Sequence, residues 1–376
     1  MEGIINVLKP PGMTSSDVVV WMRRVLKTKK IGHTGTLDPG VAGVLPLCVG
    51  KGTRLAEYIT EQGKAYLAEV TFGVTTDTQD AFGKEVYRTK PDLKQSDLER
   101  VIPNFLGKLL QKPPMYSSVR KKGKHLYEYA RQGLSIERTP REVFIYNLKL
   151  VKWYQGEFPR AILNIECSKG TYIRTISHDL GQTLGCGAHM SNLLRIRSGP
   201  FKIRESWTLE EIEEAVRMSA YAFLLPLTTG IDLPRVFLSA ARANAFRHGL
   251  PTRREQIARF EVRGATFEGC GTQFEPSSSV QTTDREPRTL PFTCENDSAQ
   301  PVTRSGVRTP NLVPRIIHGF DSTLDVHGAQ FDPKTCVRTS NPESRTSKYV
   351  QVIEDGELIG IGVWRGESLF PHKVFG

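Results

Sequence analysis

The sequence predicts an α+β fold in two parts, a larger domain followed by a smaller one. Three observations predict it. The chain has 376 residues, more than one average domain of roughly 100–200 residues. Segments of strand and helix character are mixed without a regular βαβ repeat, which argues for α+β rather than a doubly wound parallel sheet. A polar tract breaks the C-terminal third: from 271 to 314, 18 of 44 residues are Ser, Thr or Pro.

The elements follow in order. Residues 4–8 read as a short strand. Lys9-Pro10-Pro11-Gly12-Met13-Thr14-Ser15 must be a loop, because two prolines fix φ and lack donors. From about Ser16, the residues Val18, Met22, Val25 and Leu26 share a helical face, and Gly32 is expected to stop that helix. Residues 64–73 alternate as a strand. Ser96 and Glu99 have capping-box spacing before Leu98, Val101, Ile102, Phe105 and Leu106. A strand over 162–167 puts Leu163, Ile165 and Cys167 on one face. Ile173, Ile176, Leu180 and Leu184 mark a helix. Thr208 and Glu211 cap another through about Arg217. Pro226 to Pro234 reads as a linker, and the last strands run over 348–353 and 358–364. Residues 268–347, poor in aliphatic side chains, are expected as a disordered insertion, since they cannot bury enough apolar surface to offset ordering entropy.

Composition narrows the class. Hydrophobic residues make up 39% and charged residues 24%, as in a soluble globular protein. No apolar run approaches the ~20 residues that cross a bilayer, and the start reads as a strand rather than a leader; the expected location is the cytoplasm. The formal net charge is +11. Residues 258–347 contain ten basic and eleven acidic residues. The positive charge therefore lies outside the tract and favours a polyanionic partner such as nucleic acid. The six cysteines form no CxxC pair, and no His cluster completes a metal pattern. Cys48, Cys167 and Cys186 lie in apolar or glycine-rich segments, where packed thiols are expected. Gly50-Lys51-Gly52-Thr53 lacks the spacing of a phosphate loop.

The densest constellation is Gly32-His33-Thr34-Gly35-Thr36-Leu37-Asp38-Pro39, continuing through Gly40, Gly43, Leu45, Pro46 and Gly50. A lone Asp-Pro would read as an Asx turn. Here five glycines and two prolines crowd one acid, and Pro39 keeps Asp38 out of the α region. That is a way to hold one carboxylate on a rigid loop beside a cleft. Farther on, Arg120, Lys121, Lys122 and Lys124 form a basic run with Tyr116, Tyr127 and Tyr129 nearby, the mixture of charges for phosphate and rings for bases expected of an RNA contact.

Gly32 to Pro39 resembles the active-site signature of the TruB family of tRNA pseudouridine synthases, and the likeness is collinear over residues 4 to about 200. Lys9 to Ser15 resembles the family's first motif, and Lys64-Ala65-Tyr66 its substrate-stacking strand. Pro114 to Ser118 with Gly123 to Arg131 resembles its RNA-gripping insertion, expected over about 113–142. Cys167 to Arg174 resembles its third motif, and Gly187-Ala188-His189 with Leu193-Leu194-Arg195 its last pocket element. The resemblance implies a pseudouridine synthase domain with a mixed, largely antiparallel sheet over 1–231. The second domain, over 232–376 and carrying the insertion, weakly resembles a PUA RNA-binding module, which implies a PUA-like β domain.

The implied reaction converts a T-arm uridine of tRNA to pseudouridine 55. Asp38 would open the glycosidic bond of a flipped uridine, by attack at C1′ or by taking the 2′ proton. Arg174 would pair with Asp38 and favour its ionised form. Tyr66 would stack on the base and aid removal of the C5 proton. Tyr172 and Leu193 would line the pocket, and His33 would fill the gap the base leaves. No metal or cofactor is expected, and a monomer with no obligate protein partner. One rival is a non-catalytic RNA-binding or tRNA-folding chaperone, which the Asp38, Tyr66 and Arg174 set disfavours. A second is a synthase for another RNA that depends on partner proteins, which the short start disfavours.

Overall fold

A computed structural model of the chain describes residues 1–262, 265–268 and 348–375; the expected insertion thus lies almost wholly outside the described residues. The larger body is a ten-stranded sheet. Its main path runs Leu224–Leu225, Gly3–Lys9, Ala42–Val49, Ala188–Ser198, Lys64–Phe72, Arg160–Cys167, Arg141–Tyr154 and Gly107–Gln111. Ile31–His33 pairs with Ala42–Val49, and Phe201–Lys202 with Ala188–Ser198. The pairing is antiparallel except between Ala42–Val49 and Ala188–Ser198, so the sheet is mixed and largely antiparallel, as expected.

Both faces of the central strands are covered, and side-chain parity decides what each face receives. In Lys64–Phe72, Tyr66, Ala68, Val70 and Phe72 enter a cluster with Leu37, Val41, Leu163, Ile165, Ile173 and Leu193. Ala65 and Leu67 point the other way, to Ile4, Leu8, Val44 and Cys48. The helix Ser15–Val25 packs Val18, Val19 and Met22 beside Ile5, Val7, Leu45 and Leu47. Cys48, Cys167 and Cys186 are buried free thiols.

The helix Leu209–Arg217 is capped by Thr208, which accepts from the Glu211 amide while Glu211 accepts from the Thr208 amide. Three sequence expectations need correction. The first helix ends at Val25, with Lys27 left-handed at φ 49°, and Gly32 lies inside the strand Ile31–His33. Ser96 is not a cap: the helix spans Gln95–Val101, its N-cap is Lys94, and Asp97 accepts from the Lys94 amide at 3.0 Å. The C-terminal body also has a third late strand, Ser368–Val374, after Tyr349–Glu354 and Glu357–Arg365.

That body is a seven-stranded sheet with the helix Ala240–Arg247 against it. The stretch read as a linker is a packed joint: Ile231 and Leu233 are buried with Leu55, Ile353, Ile361 and Phe375. Arg54 donates to the Val374 carbonyl at 2.6 Å, and Gln351 to the carbonyls of Ile231 and Leu233.

Candidate active site

The Asp38 loop is held from below by the preceding proline-rich segment. Lys9, fully buried, donates from Nζ to the carbonyls of Pro39 (3.2 Å) and Val41 (2.7 Å), and to its neighbour Pro10 (2.8 Å). The Gly12 amide donates to the Pro39 carbonyl, and the Leu37 amide to Ser15 Oγ at 2.9 Å. Burial and the nearby Arg195 lower the Lys9 ammonium to about 8. Glycine matters at Gly43, where φ is 123° and an added Cβ would stand 2.3 Å from the Arg195 carbonyl. Only a bare Cα lets the two parallel strands meet there.

Arg174 reaches the loop from the second residue of the helix Ile173–Thr183. Its Nη2 lies 3.3 Å from Asp38 Oδ2, and its Nη1 3.2 Å from Asp80 Oδ2. Nη2 also donates to the Tyr116 carbonyl at 2.7 Å. The guanidinium is buried, while 44% of the Asp38 side chain is open to solvent. A positioned, buried cation thus meets a carboxylate that is partly open to solvent. Burial raises the Asp38 carboxyl above the ordinary range; Arg174 pulls it down, Asp80 pushes it up and Lys9 pulls it down. The carboxylate is therefore more basic than a surface aspartate without losing its counter-charge.

Tyr66 arrives by strand parity beside this loop. A bulge in the neighbouring strand supplies the rest. Between Met190 and Asn192 the register slips by one residue, so Leu193 pairs with Ala68 and Arg195 with Tyr66. The slip flips the parity of the strand and delivers both side chains to the face of Tyr66. Arg195 is fully buried and donates to the carbonyls of Val44 (2.7 Å) and Gly35 (3.1 Å). Its guanidinium lies beside the Tyr66 hydroxyl, which burial pushes up to about 12 against that pull. Tyr172 caps the Arg174 helix and is tied by Gln111 in both directions, at 2.7 and 3.0 Å. Burial also raises its hydroxyl. His33 lies in the strand Ile31–His33, half-buried, and burial and Arg195 keep its imidazole below the usual range, hence neutral.

The structure therefore brings Asp38, Tyr66, Arg174, Tyr172 and Leu193 to one recess, with His33 at the loop's start. The basic run stands apart from it. Arg120–Lys121 and Lys124–His125 pair as a two-residue hairpin whose turn, Lys122 and Gly123, has φ of 50° and 84°. Positive φ at both positions is the turn that matches strand twist. Arg120, Lys122 and Lys124 are exposed, whereas Lys121 is half-buried and donates to the Glu137 carbonyl. His125 stacks on Tyr127 with centroids 5.2 Å apart. The amides of Leu126 and Tyr127 donate to the carbonyls of Val119 and Ser117, fixing the hairpin to the segment that receives Arg174.

Asp80 was missed in the sequence, and Lys9 and Arg195 stood there within motifs but without a role. Among the described residues, no three His, Cys, Asp or Glu side chains gather as a metal site, and no helix is long and apolar enough to cross a membrane.

Comparison with known proteins gives concordant findings. The family model described as TruB family pseudouridylate synthase, N-terminal domain, matches residues 23–173. The model described as tRNA pseudouridylate synthase B C-terminal domain matches 174–229. The chain is 52% identical over 252 residues to tRNA pseudouridine synthase B of Symbiobacterium thermophilum, covering 66% of this chain and 83% of that protein. With tRNA pseudouridine synthase B of Halalkalibacterium halodurans it is 44% identical over 270 residues, covering 70% and 89%. Among solved structures it is similar to an H/ACA RNP bound to a substrate RNA containing 2'-deoxyuridine. The TM-score is 0.60 at 21% identity, over 100% of this chain and 85% of that one; at that identity the likeness concerns the fold.

Proposed function

The chain belongs to the TruB family of pseudouridylate synthases, and from that premise we propose how its recess converts a uridine of tRNA to pseudouridine. It is an enzyme that isomerises uridine in tRNA, as its relatives named tRNA pseudouridine synthase B are. The finer reading concerns which uridine, which residues and which partners. The target is the T-arm uridine at position 55, acted on by a cytoplasmic monomer without an obligate protein partner. Residues 1–231 form the catalytic domain, and 232–376 a PUA-like RNA-binding domain with an insertion.

The target base leaves the RNA stack and enters the recess, at a cost of a few kcal/mol. His33, neutral and half-buried, fills the space it vacates. Tyr66 stacks on the base, and Leu193 and Tyr172 close the pocket around it. The Asp38 carboxylate then cleaves the N1–C1′ bond, by attack at C1′ or by removing the 2′ proton. The detached uracil turns and C5 bonds to C1′, breaking the Asp38–C1′ ester on the first route or with return of the proton from Asp38 to C2′ on the second; the C5 proton then leaves with help from Tyr66, and N1 takes up a proton. Bonds broken and formed balance, with no change of oxidation state and no cofactor. Arg174 holds Asp38 ionised and aimed. The exposed cations Arg120, Lys122 and Lys124, with Lys121 behind them, meet the phosphates of the arm.

The observation that carries this reading is the Arg174–Asp38 pair at 3.3 Å, with the carboxylate partly open to solvent and Tyr66 close by. The test is to incubate an unmodified tRNA transcript with the protein and map pseudouridine along it. One pseudouridine at position 55 is expected. Modification elsewhere, or none, would overturn the assignment of the target.

A further inference from the structure

The turn between Thr76 and Lys84 contains a residue that no role above uses. Phe82 is 81% exposed, the most exposed large hydrophobic side chain among the described residues. Scattered exposed apolar residues usually need no explanation, but this one is fixed against the site. A methyl placed on Gly40 would stand 2.4 and 2.5 Å from two carbons of the Phe82 ring. The ring therefore lies directly on the backbone two residues after Asp38.

Its base is equally held. The Phe82 amide donates to Asp80 Oδ1 at 3.0 Å, as does the Thr78 hydroxyl at 2.7 Å. The other oxygen of Asp80 meets Arg174, the partner of Asp38. The Ala81 amide donates to the Met190 carbonyl at 3.1 Å, and the Lys84 amide to Asp77 at 2.8 Å. One flat apolar ring thus stands on a braced turn at the rim of the recess, covered on one side by backbone and open on the other. An exposed cation, Lys84, follows two residues later.

We propose that Phe82 is a stacking platform for the base of a nucleotide adjacent to the target uridine. The proposal rests on reading the Asp38 recess as the uridine site. A base flipped into that recess leaves its neighbours one backbone step away, at the rim, with a stacking partner lost. An aromatic ring there replaces the partner, and it does so for any base because every base has a π-face. Phe82 would act on binding and on the pose of the strand rather than on bond making.

The experiment measures single-turnover rates against protein concentration for wild type, Phe82→Ala and Phe82→Trp. The RNAs are an intact T-arm stem-loop and two versions abasic at the 5′ or the 3′ neighbour of the target. On intact RNA, Phe82→Ala should raise the half-saturating concentration roughly five- to tenfold, the lower part of what base–aromatic stacking supplies. The saturated rate should stay within about twofold and the Tm unchanged, and Phe82→Trp should bind like wild type. On one abasic RNA, wild type should bind as weakly as Phe82→Ala, and the two should no longer differ. An unchanged half-saturation for Phe82→Ala overturns the proposal. So does a loss that persists undiminished on both abasic RNAs, which would mean that the ring only braces Gly40 or meets something other than a base. Wild-type turnover on intact RNA is read in the same series. Its absence sinks the recess assignment, whereas turnover without a Phe82 effect sinks the platform alone.

Discussion

The recess and the hairpin use the same cationic side chains in opposite surroundings. Around Asp38, Arg174 and Arg195 are buried, and each guanidinium group is held by carboxylates or carbonyls of distant segments. In the hairpin, Arg120, Lys122 and Lys124 are exposed on a two-residue turn. A buried cation is costly unless paired, so its geometry is over-determined and its field reaches neighbours undiluted. An exposed cation is screened within about 10 Å at moderate salt, and it acts by charge rather than by aim. The two buried arginines also differ. Arg174 meets two carboxylates and sets the charge of Asp38. Arg195 meets carbonyls and holds the Gly35 backbone to the strand that carries Val44.

Four perturbations break or sharpen this contrast. Arg174→Met should cut turnover by about 10²–10³-fold, the size seen when one preorganised charge partner is removed, while tRNA affinity changes far less; single-turnover rates at saturating protein measure it. Arg195→Met should act first on stability. Two carbonyls, one buried and one partly buried, lose their donors at ~1–3 kcal/mol each, so denaturant unfolding should report a loss of about 2–6 kcal/mol, larger than for Arg174→Met. Neutralising Arg120, Lys122 and Lys124 to Gln should leave stability and the saturated rate alone and flatten the salt dependence of binding. Each lost phosphate contact removes roughly 0.7–0.9 from the slope of log affinity against log salt. An unmoved slope would mean that the hairpin faces only water.

The smallest effect is a shift in pH dependence. Burial raises the Asp38 carboxyl, and the Asp80 charge adds to the rise. The reacting form is the carboxylate, so activity is present above the raised pKa and lost as pH falls through it. The acid limb of kcat/KM should therefore lie above the ordinary aspartate range of ~3.9. Asp80→Asn removes a repelling charge and should move that limb to lower pH, even as turnover at neutral pH falls because Arg174 loses an anchor. A limb that stays in place would mean that another group controls it.

Local chemistry made much of this legible in the sequence. Thr208 and Glu211 announce the helix start at Leu209 because a capping box is written within four residues. The strand Lys64–Phe72 is legible from the alternation over residues 64–73. The Asp38 loop stands out by its glycine and proline spacing, and the resemblance to a family named the residues that should surround it. What stayed hidden depends on tertiary partners. Lys9 and Arg195 bind carbonyls from distant loops, and carbonyls leave no mark in a sequence. Asp80 reads as one of several polar turn residues until Arg174 is seen beside it. The bulge at Met190–Asn192 reverses side-chain parity, so alternation alone would assign Leu193 and Arg195 to the wrong face. Ser96 reads as a cap with Glu99 as its partner, yet Lys94 is the N-cap and Asp97 the partner, because the helix starts at Gln95.

The central claim is that the Asp38 carboxylate performs the chemistry and Arg174 keeps it ready. The most direct measurement is tritium release from tRNA labelled at uridine C5, under single-turnover conditions, by wild type and Asp38→Asn. The amide keeps the size of the side chain but can neither attack C1′ nor take the 2′ proton. The account predicts stoichiometric release by wild type and none above background by Asp38→Asn, with tRNA binding retained by the variant. Release by Asp38→Asn at near wild-type rate would contradict it and remove Asp38 from the mechanism.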